Sequence, residues 1–172
     1  MRKALKGRFP RVEPANLQSL EIGPAAIRQG AEIRHRFLSR DRTTSVTLGA
    51  QSLTVETASY RRFEQFCETI REAVSAVEAL GEVAGVLRVG LRYIDEIRVP
   101  EPISSPAEWK VFVDISLTGP VCVAPGTPMQ SLGMIETKIA EHQALVMRYG
   151  SQPRGRIVDP NGPLRLPISD PD

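Results

Sequence analysis

The sequence predicts an α+β fold, in which a mainly antiparallel β-sheet of about five to seven strands packs one face against one long amphipathic helix. Three patterns predict this two-layer arrangement. Residues 60–80 repeat apolar side chains at helical spacing, residues 86–100 alternate apolar and charged side chains, and residues 45–57 form two short alternating runs around a glycine. With 41% hydrophobic and 24% charged residues, the 172-residue chain has the composition of an ordinary globular domain.

The helix over residues 60–80 is the clearest predicted element. Ser59 suits the N-cap position and Gly81 suits the end of the helix. Charged residues occupy the side opposite the apolar stripe. The stripe that should face the sheet consists of Tyr60, Phe63, Phe66, Ile70, Val74, Val77 and Leu80.

Strands are predicted on both sides of this helix. Residues 86–100 should form the longest one, with Leu87, Val89 and Leu91 on the apolar side and Arg88 and Arg92 on the other. Residues 131–140 suit either a helix or a strand, and Gly133 favours the strand. The other predicted strands are residues 31–39, 109–117 and 144–150.

The domain itself should span residues 31–150, between an extended basic arm or loop at residues 1–30 and a turn-rich tail at residues 151–172. Residues 1–42 contain ten Lys and Arg against four acids, whereas the rest of the chain has a net negative charge. Such a basic front end attracts nucleic acid or an acidic partner, although a solvated surface is the commoner explanation.

Neither a signal peptide nor an apolar run long enough to cross a bilayer is recognisable, so we expect a cytoplasmic protein without membrane contact. Cys67 and Cys122 are too far apart in sequence for a zinc or CxxC motif. We expect both to be buried free thiols.

The sequence offers no catalytic motif. His35 and His142 are the only histidines, and neither lies in a predicted helix with a carboxylate at ligand spacing, so no metal site is predicted. No nucleophile turn, phosphate-binding loop or nucleotide fingerprint is present. The side chains of Asp95 and Glu96 should point to opposite faces of a strand. We therefore predict no catalytic, cofactor-binding or metal-binding residue, and His35 should be a hydrogen-bonded core residue.

The strongest candidate for binding is a sheet face lined with arginines. If the helix covers only the other face, this one is available to an acidic protein, a phosphate-bearing ligand or RNA. A solvent-exposed ladder of cross-strand charges explains the same pattern and is the favoured interpretation. The arginines on the outward positions of the predicted strands are Arg34, Arg36, Arg88, Arg92, Arg98 and Arg148.

Asp95 falls on the apolar side of the predicted strand. A buried carboxylate requires a partner, so we expect an ion pair with Arg92 or Arg148 that holds the strand register. A carboxylate in a binding pocket is the alternative.

The order of strand, hairpin and helix, followed by the block Gly90-Leu91-Arg92-Tyr93-Ile94-Asp95 and by Met147-Arg148-Tyr149-Gly150, resembles a sporadically distributed family of uncharacterised bacterial proteins. The resemblance covers most of residues 30–150. It implies a further strand before Phe9 and a further element after the tail, so we expect a shortened or divergent member. It also implies an accessory role in a mobile or defence locus, and the family has no established activity that could be carried over to this chain.

These observations favour a non-catalytic protein-interaction or scaffold protein. An open sheet with free edges makes pairing with another protein or with a second copy the expected mode of interaction. The alternative is a nucleic-acid-binding module that uses the basic arm and the arginine face.

Overall fold

A computed structural model confirms the α+β class, with a four-stranded antiparallel sheet, a two-stranded antiparallel sheet and one main helix. It describes residues 1–22, 27–81, 83–99, 103, 105–119, 130–151 and 163–164. The chain divides into two compact units, and we call Met1–Gly90 with Val158–Asp172 unit 1 and Leu91–Ile157 unit 2. The helices and strands are α1 (Arg2–Leu5), β1 (Arg11–Ile22), β2 (Ile27–Leu38), β3 (Thr44–Leu48), β4 (Leu53–Thr57), α2 (Phe63–Glu78), two 3₁₀ helices (Pro106–Val111 and Ile115–Leu117), β5 (Ser131–Ala140) and β6 (Gln143–Ser151).

The sheet of unit 1 is an antiparallel meander in the order β1-β2-β3-β4. The hairpin predicted over residues 45–57 is confirmed as β3 and β4, and Val46 lies opposite both Phe37 and Val55. Pro14 occupies β1, which has only β2 as a described neighbour. An edge strand accepts proline because its outer amide needs no partner.

The N-terminal segment is more ordered than the arm or loop that the sequence predicts. Residues of α1 are followed by β1, which pairs along its whole length with β2 from Arg11 opposite Leu38 to Ile22 opposite Ile27. Leu5 is fully buried and Phe9 is 1% exposed. These two apolar residues join the core, which supplies the free energy that orders a segment rich in proline and glycine.

Helix α2 is confirmed, but its buried line is not the predicted stripe. Thr69, Ala73 and Ala76 are buried, whereas Phe63 and Val74 are exposed. Small side chains at the centre of the contact let the helix approach α1 and β4, against which it packs. The larger apolar residues therefore flank the contact line.

The ends of α2 also differ from the prediction. Ser59 is not the N-cap, and its hydroxyl is instead 3.3 Å from Thr43 Oγ1. The helix begins after Arg62 and ends at Ala79. Gly81 lies three residues after Glu78 and has φ of 78°, a left-handed conformation that glycine adopts without strain, so the helix ends shortly before the predicted glycine.

The core of unit 1 lies between the sheet, α1 and α2. Leu48, Leu53 and Val55 are partly buried at its margin. Arg8, in the turn after α1, connects this segment to α2, since its guanidinium donates to Thr69 Oγ1 at 2.7 Å and to Glu72 Oε2 at 3.1 Å. The buried cluster consists of Leu5, Phe9, Phe37, Val46, Ala73 and Ala76.

The turn between β2 and β3 connects three parts of unit 1. Arg42 has φ of 60°, in the left-handed region that non-glycine residues seldom occupy. Its guanidinium donates to Glu13 Oε1 in β1 and to the carbonyl of Pro163 in the tail, both at 3.2 Å. Apart from Ser151, Pro163 and Leu164, the predicted turn-rich tail lies outside the described residues.

The long strand predicted over residues 86–100 is absent from the described part of this segment. Residues 83–99 belong to no helix or strand, and Leu87 and Val89 are exposed. Alternation specifies which side chains share a face, but a strand also needs a neighbour for its backbone hydrogen bonds. No described segment provides that neighbour.

The strand predicted over residues 109–117 is wrong, because two 3₁₀ helices occupy this range. Pro106 stands at the start of the first, where its fixed φ favours a helical turn. Asp114 caps the second by accepting the Ser116 amide at 2.9 Å. The rings of Trp109 and Phe112 meet edge to face across one turn, 6.1 Å between centroids.

Unit 2 contains the β5–β6 hairpin, which confirms both strands predicted over residues 131–150. The helical alternative for residues 131–140 is therefore wrong. Glu141 and His142 form the turn. The pairing shifts register between Lys138 and Ala140, next to that turn. Residues 120–129, including Cys122, lie outside the described residues.

Candidate interaction surface

The described part of unit 2 presents large apolar side chains to solvent. Its only buried residue is Thr118, whereas every buried hydrophobic residue of the described chain lies in unit 1. Exposed apolar surface on this scale typically marks a site of protein association. The exposed group in the β5–β6 hairpin consists of Leu132, Met134, Ile135, Ile139, Leu145, Val146 and Met147.

The centre of one face of the hairpin is mainly apolar. Ile135 lies opposite Met147, and Thr137 lies opposite Leu145. Because residues opposite each other in an antiparallel pair share a face, these side chains form one continuous surface. We call Ile135, Leu145, Met147 and Tyr149 the hairpin face.

The other face of the hairpin is mixed in character. Arg148 lies opposite Met134, Val146 opposite Glu136, and Ala144 opposite Lys138. The two faces therefore differ in polarity, as in a sheet that has one side packed and one side wet. The sequence predicts Leu145, Met147 and Tyr149 as inward residues, but in the described chain the first two are exposed.

The six predicted arginines do not share one sheet face. Arg34 and Arg36 lie in β2 of the four-stranded sheet, and Arg148 lies in β6 of the other sheet. The remaining three, Arg88, Arg92 and Arg98, lie in the irregular segment of residues 83–99. The prediction of a common face required that segment to be a strand between the others.

Arg34 is engaged locally. Its Nε and Nη2 donate to Glu32 Oε2 at 2.9 and 2.7 Å, and the Ala50 amide donates to Glu32 Oε1 at 2.7 Å. The hydrogen bonds from Arg34 and then from Ala50 lower the pKa of Glu32, because they favour the charged carboxylate. This cluster links β2 to the β3–β4 turn at Gly49.

Arg36 has a restricted environment. It lies opposite Thr47, which is 6% exposed. Arg36 Nε and Thr47 Oγ1 are both buried and have no hydrogen-bond partner among the described residues. On the same side of the sheet Leu38 and Ser45 are fully buried, so this part of the face is covered rather than open.

The charged residues of the 91–99 segment differ in how they are paired. Arg98 Nε and Nη2 both contact Glu96 Oε1, at 2.7 and 2.6 Å. Arg92 and Asp95 are exposed and form no ion pair with each other or with any other residue in the described ranges. The buried ion pair expected from the sequence is not formed there, since an exposed carboxylate keeps its water and needs no partner.

The residues weighed for catalysis lie apart. His35 is exposed, not in the core, because β3 extends along β2 only as far as His35 opposite Leu48. His142 is in the exposed β5–β6 turn, 4.0 Å from Glu141. Cys67 is a partly buried free thiol on α2. No group of three metal-ligating side chains occurs among the residues that the structure describes.

The sequence contained one signal for the exposed hairpin face. It predicts a single long helix, whose apolar side can cover only one layer of strands, and β3 and β4 precede that helix directly.

No described helix is long and apolar enough to cross a membrane. The chain matches no protein-family model, no curated protein and no solved structure with which it was compared.

Proposed function

We propose that this protein is a non-catalytic interaction or scaffold protein that associates with a second copy of itself through unit 2. The observation that supports the proposal is the hairpin face, an apolar sheet surface of which Leu145 is 56% and Ile135 45% exposed. Burial of such a surface against a second copy removes apolar area from water. In a homo-oligomer the same surface of the chain lies on both sides of the interface, so no second protein is required.

A role in catalysis has no comparable support. In the part of the chain that the structure describes, the titratable residues with a lowered pKa are Glu32, Asp41 and Asp114. Asp41 and Asp114 accept hydrogen bonds within their own turns, and Glu32 accepts from Arg34 in β2 and from the Ala50 amide in the β3–β4 turn, so all three carboxylates stabilise local structure.

The nucleic-acid alternative receives less support. Its two sequence features were a basic arm and a common arginine face. The first forms α1 and β1, and the arginines of the second are divided between two sheets and an irregular segment. A cytoplasmic location and an accessory role in a bacterial defence locus remain predictions that rest on composition and on the family resemblance.

The test compares two neighbouring valine and leucine positions in β6. Leu145→Lys places a charge on the hairpin face, whereas Val146→Lys places the same charge on the opposite face, across from Glu136. We expect the first variant to raise the dissociation constant for self-association about tenfold or more and the second about twofold or less. Sedimentation equilibrium of the full chain measures both.

Salt dependence separates this proposal from the alternative. Association through an apolar face should persist at moderate ionic strength, whereas nucleic-acid binding should weaken steeply. A wild-type chain that stays monomeric at every accessible concentration, or equal effects of the two lysine variants, would contradict association through the hairpin face.

A further inference from the structure

The 91–97 segment contains a second, independent signal for association. From its charges and spacing we infer that this segment pairs antiparallel with the same segment of a second copy, with Ile94 on the two-fold axis. This inference rests on the proposed self-association and specifies one of its contacts. It concerns a segment of unit 2 distinct from the hairpin face.

The segment has the side-chain pattern of a strand but not the structure of one. Residues 91–97 lie outside every helix and strand, and Leu91, Ile94 and Ile97 are 53%, 43% and 46% exposed. Strand addition supplies the backbone hydrogen bonds that such a segment lacks in isolation. Pairing with a second copy would therefore give this segment the strand structure that the alternation of residues 86–100 predicts.

Two-fold symmetry limits the registers that are available. An axis at Ile94 places Leu91 opposite Ile97 and Arg92 opposite Glu96, and symmetry repeats each pair. Apolar residues then meet apolar residues, and each arginine meets a carboxylate. The same register places Asp95 opposite Tyr93. The phenol hydroxyl of Tyr93 then gives this carboxylate, which lies among apolar residues, a polar neighbour.

The neighbouring registers are each worse. An axis at Arg92 places that arginine opposite its own copy, and an axis at Asp95 does the same with that carboxylate. An axis at Tyr93 brings Leu91 opposite Asp95. Like charges directly opposite each other destabilise an antiparallel pair, so the register centred on Ile94 is selected.

The ion pair within the chain is compatible with this register. Arg98 and Glu96 are two positions apart, so in a strand they lie on the same face. Both contacts from Arg98 reach Glu96 Oε1. Arg92 of the second copy would approach the same carboxylate from across the pair, while Arg92 in the single chain is exposed and has no ion pair among the described residues.

Charge reversal tests the register. Arg92→Glu or Glu96→Arg alone turns two attractive pairs into two repulsive ones, and we expect each to raise the dissociation constant about tenfold or more. An equimolar mixture of the two single variants should associate again. In that mixture position 92 of each chain faces a position 96 of opposite charge. Native mass spectrometry of chains that differ in mass identifies this heterodimer.

The matched control is Arg148→Glu, a charge reversal at an exposed arginine of β6 that takes no part in the register. It should change the dissociation constant about twofold or less. Far-ultraviolet circular dichroism should be unchanged in Arg92→Glu and Arg148→Glu, because both arginines are exposed. The Glu96 side chain is 13% exposed and paired with Arg98, so the circular dichroism of Glu96→Arg establishes that this variant is folded before its dissociation constant is compared.

The outcomes separate this inference from the proposed function. Two results overturn the pairing of residues 91–97 and leave the hairpin face as the interface. In the first, each single reversal self-associates with the dissociation constant of the wild type. In the second, the mixture of the two variants does not regain association. A chain that is monomeric at every concentration overturns both. Loss with each single variant and recovery in the mixture supports the inference.

Discussion

Both units contain an antiparallel hairpin with an apolar face, but this face is buried in unit 1 and exposed in unit 2. In unit 1, Val46 lies between Phe37 and Val55 and is fully buried, because α1 and α2 cover that face of the sheet. In unit 2, Leu145 lies opposite Thr137 in a longer antiparallel hairpin and is 56% exposed. An alternating pattern creates an apolar face, but only a covering layer turns that face into a core.

The layer that covers the sheet of unit 1 comes from the segments that precede and follow the sheet in the sequence. Helix α2 follows the sheet, whereas Leu5 and Phe9 come from the segment that precedes it. Unit 2 has two short 3₁₀ helices in its described part, and their large apolar residues Val111, Phe112 and Ile115 are exposed. The association that we propose for unit 2 would remove this apolar surface from water.

The largest expected effect comes from breaking the core of unit 1. Phe9→Ala should lower the free energy of unfolding by about 3 to 5 kcal/mol, because it removes a buried ring and leaves a cavity. Urea unfolding followed by far-ultraviolet circular dichroism, which reports mainly on α2, measures the loss.

The matched change in unit 2 is Phe112→Ala. This phenylalanine is 42% exposed and contacts Trp109 edge to face, so the cost should be about 0.5 kcal/mol. If the two substitutions cost the same, the contrast between a closed unit and an open one is wrong.

A smaller effect is expected at the polar link of unit 1. A Cβ at Gly49 would overlap the Glu32 carboxylate and come within 2.9 Å of Ser52 Oγ. Gly49→Ala should therefore displace Glu32 from the Ala50 amide and lower the free energy of unfolding by about 1 kcal/mol. The same urea titration measures it.

Gly7→Ala is the control for this prediction, since a Cβ there has nothing within 4 Å. It should leave the unfolding midpoint unchanged or raise it slightly by restricting the unfolded chain. Equal losses at positions 7 and 49 would show that backbone freedom, not the Glu32 cluster, explains the effect.

The smallest expected effect is on the acid sensitivity of the two units. Hydrogen bonds from the Ser39 hydroxyl and then from the Thr43 amide lower the pKa of Asp41 in unit 1. The Ser116 hydroxyl and amide do the same for Asp114 in unit 2. A carboxyl whose pKa is lowered by folding stabilises the fold above its ordinary pKa, and this contribution is lost as pH falls through the lowered value.

Asp41→Asn should therefore reduce the loss of unfolding free energy of unit 1 below about pH 4, while Asp114→Asn should leave it unchanged. The urea midpoint as a function of pH, read from the circular dichroism of α2, measures both. An equal response to the two substitutions would indicate that the units unfold together.

Local structure could be predicted from the sequence where the backbone hydrogen-bond partners of a segment lie within that segment or next to it in sequence. The β3–β4 and β5–β6 hairpins join strands that are adjacent in sequence, so alternation and a turn specify both members of each pair. Helix α2 satisfies its backbone internally and was equally predictable. The segment over residues 86–100 and the range 109–117 were mispredicted as strands because their alternation did not identify a neighbouring strand.

The candidate surface was only partly predictable. Parity correctly grouped Leu145, Met147 and Tyr149 on one side of β6, and it predicted Arg148 on the other. The predicted arginine face required three strands to lie in one sheet, and two sheets formed instead. The choice of sheet depends on contacts distant in sequence, which periodicity does not encode.

By itself, the sequence determined the α+β class, the long helix, the two hairpins and the polarity of each hairpin face, since these depend on spacing of two or of three to four residues. Only the tertiary structure decided that α1 and Phe9 complete the core, that Ala73 and Ala76 form the contact line of α2, and that the hairpin face stays exposed. These outcomes depend on which surfaces meet, and the free energy of burial belongs to the pair of surfaces rather than to either segment alone.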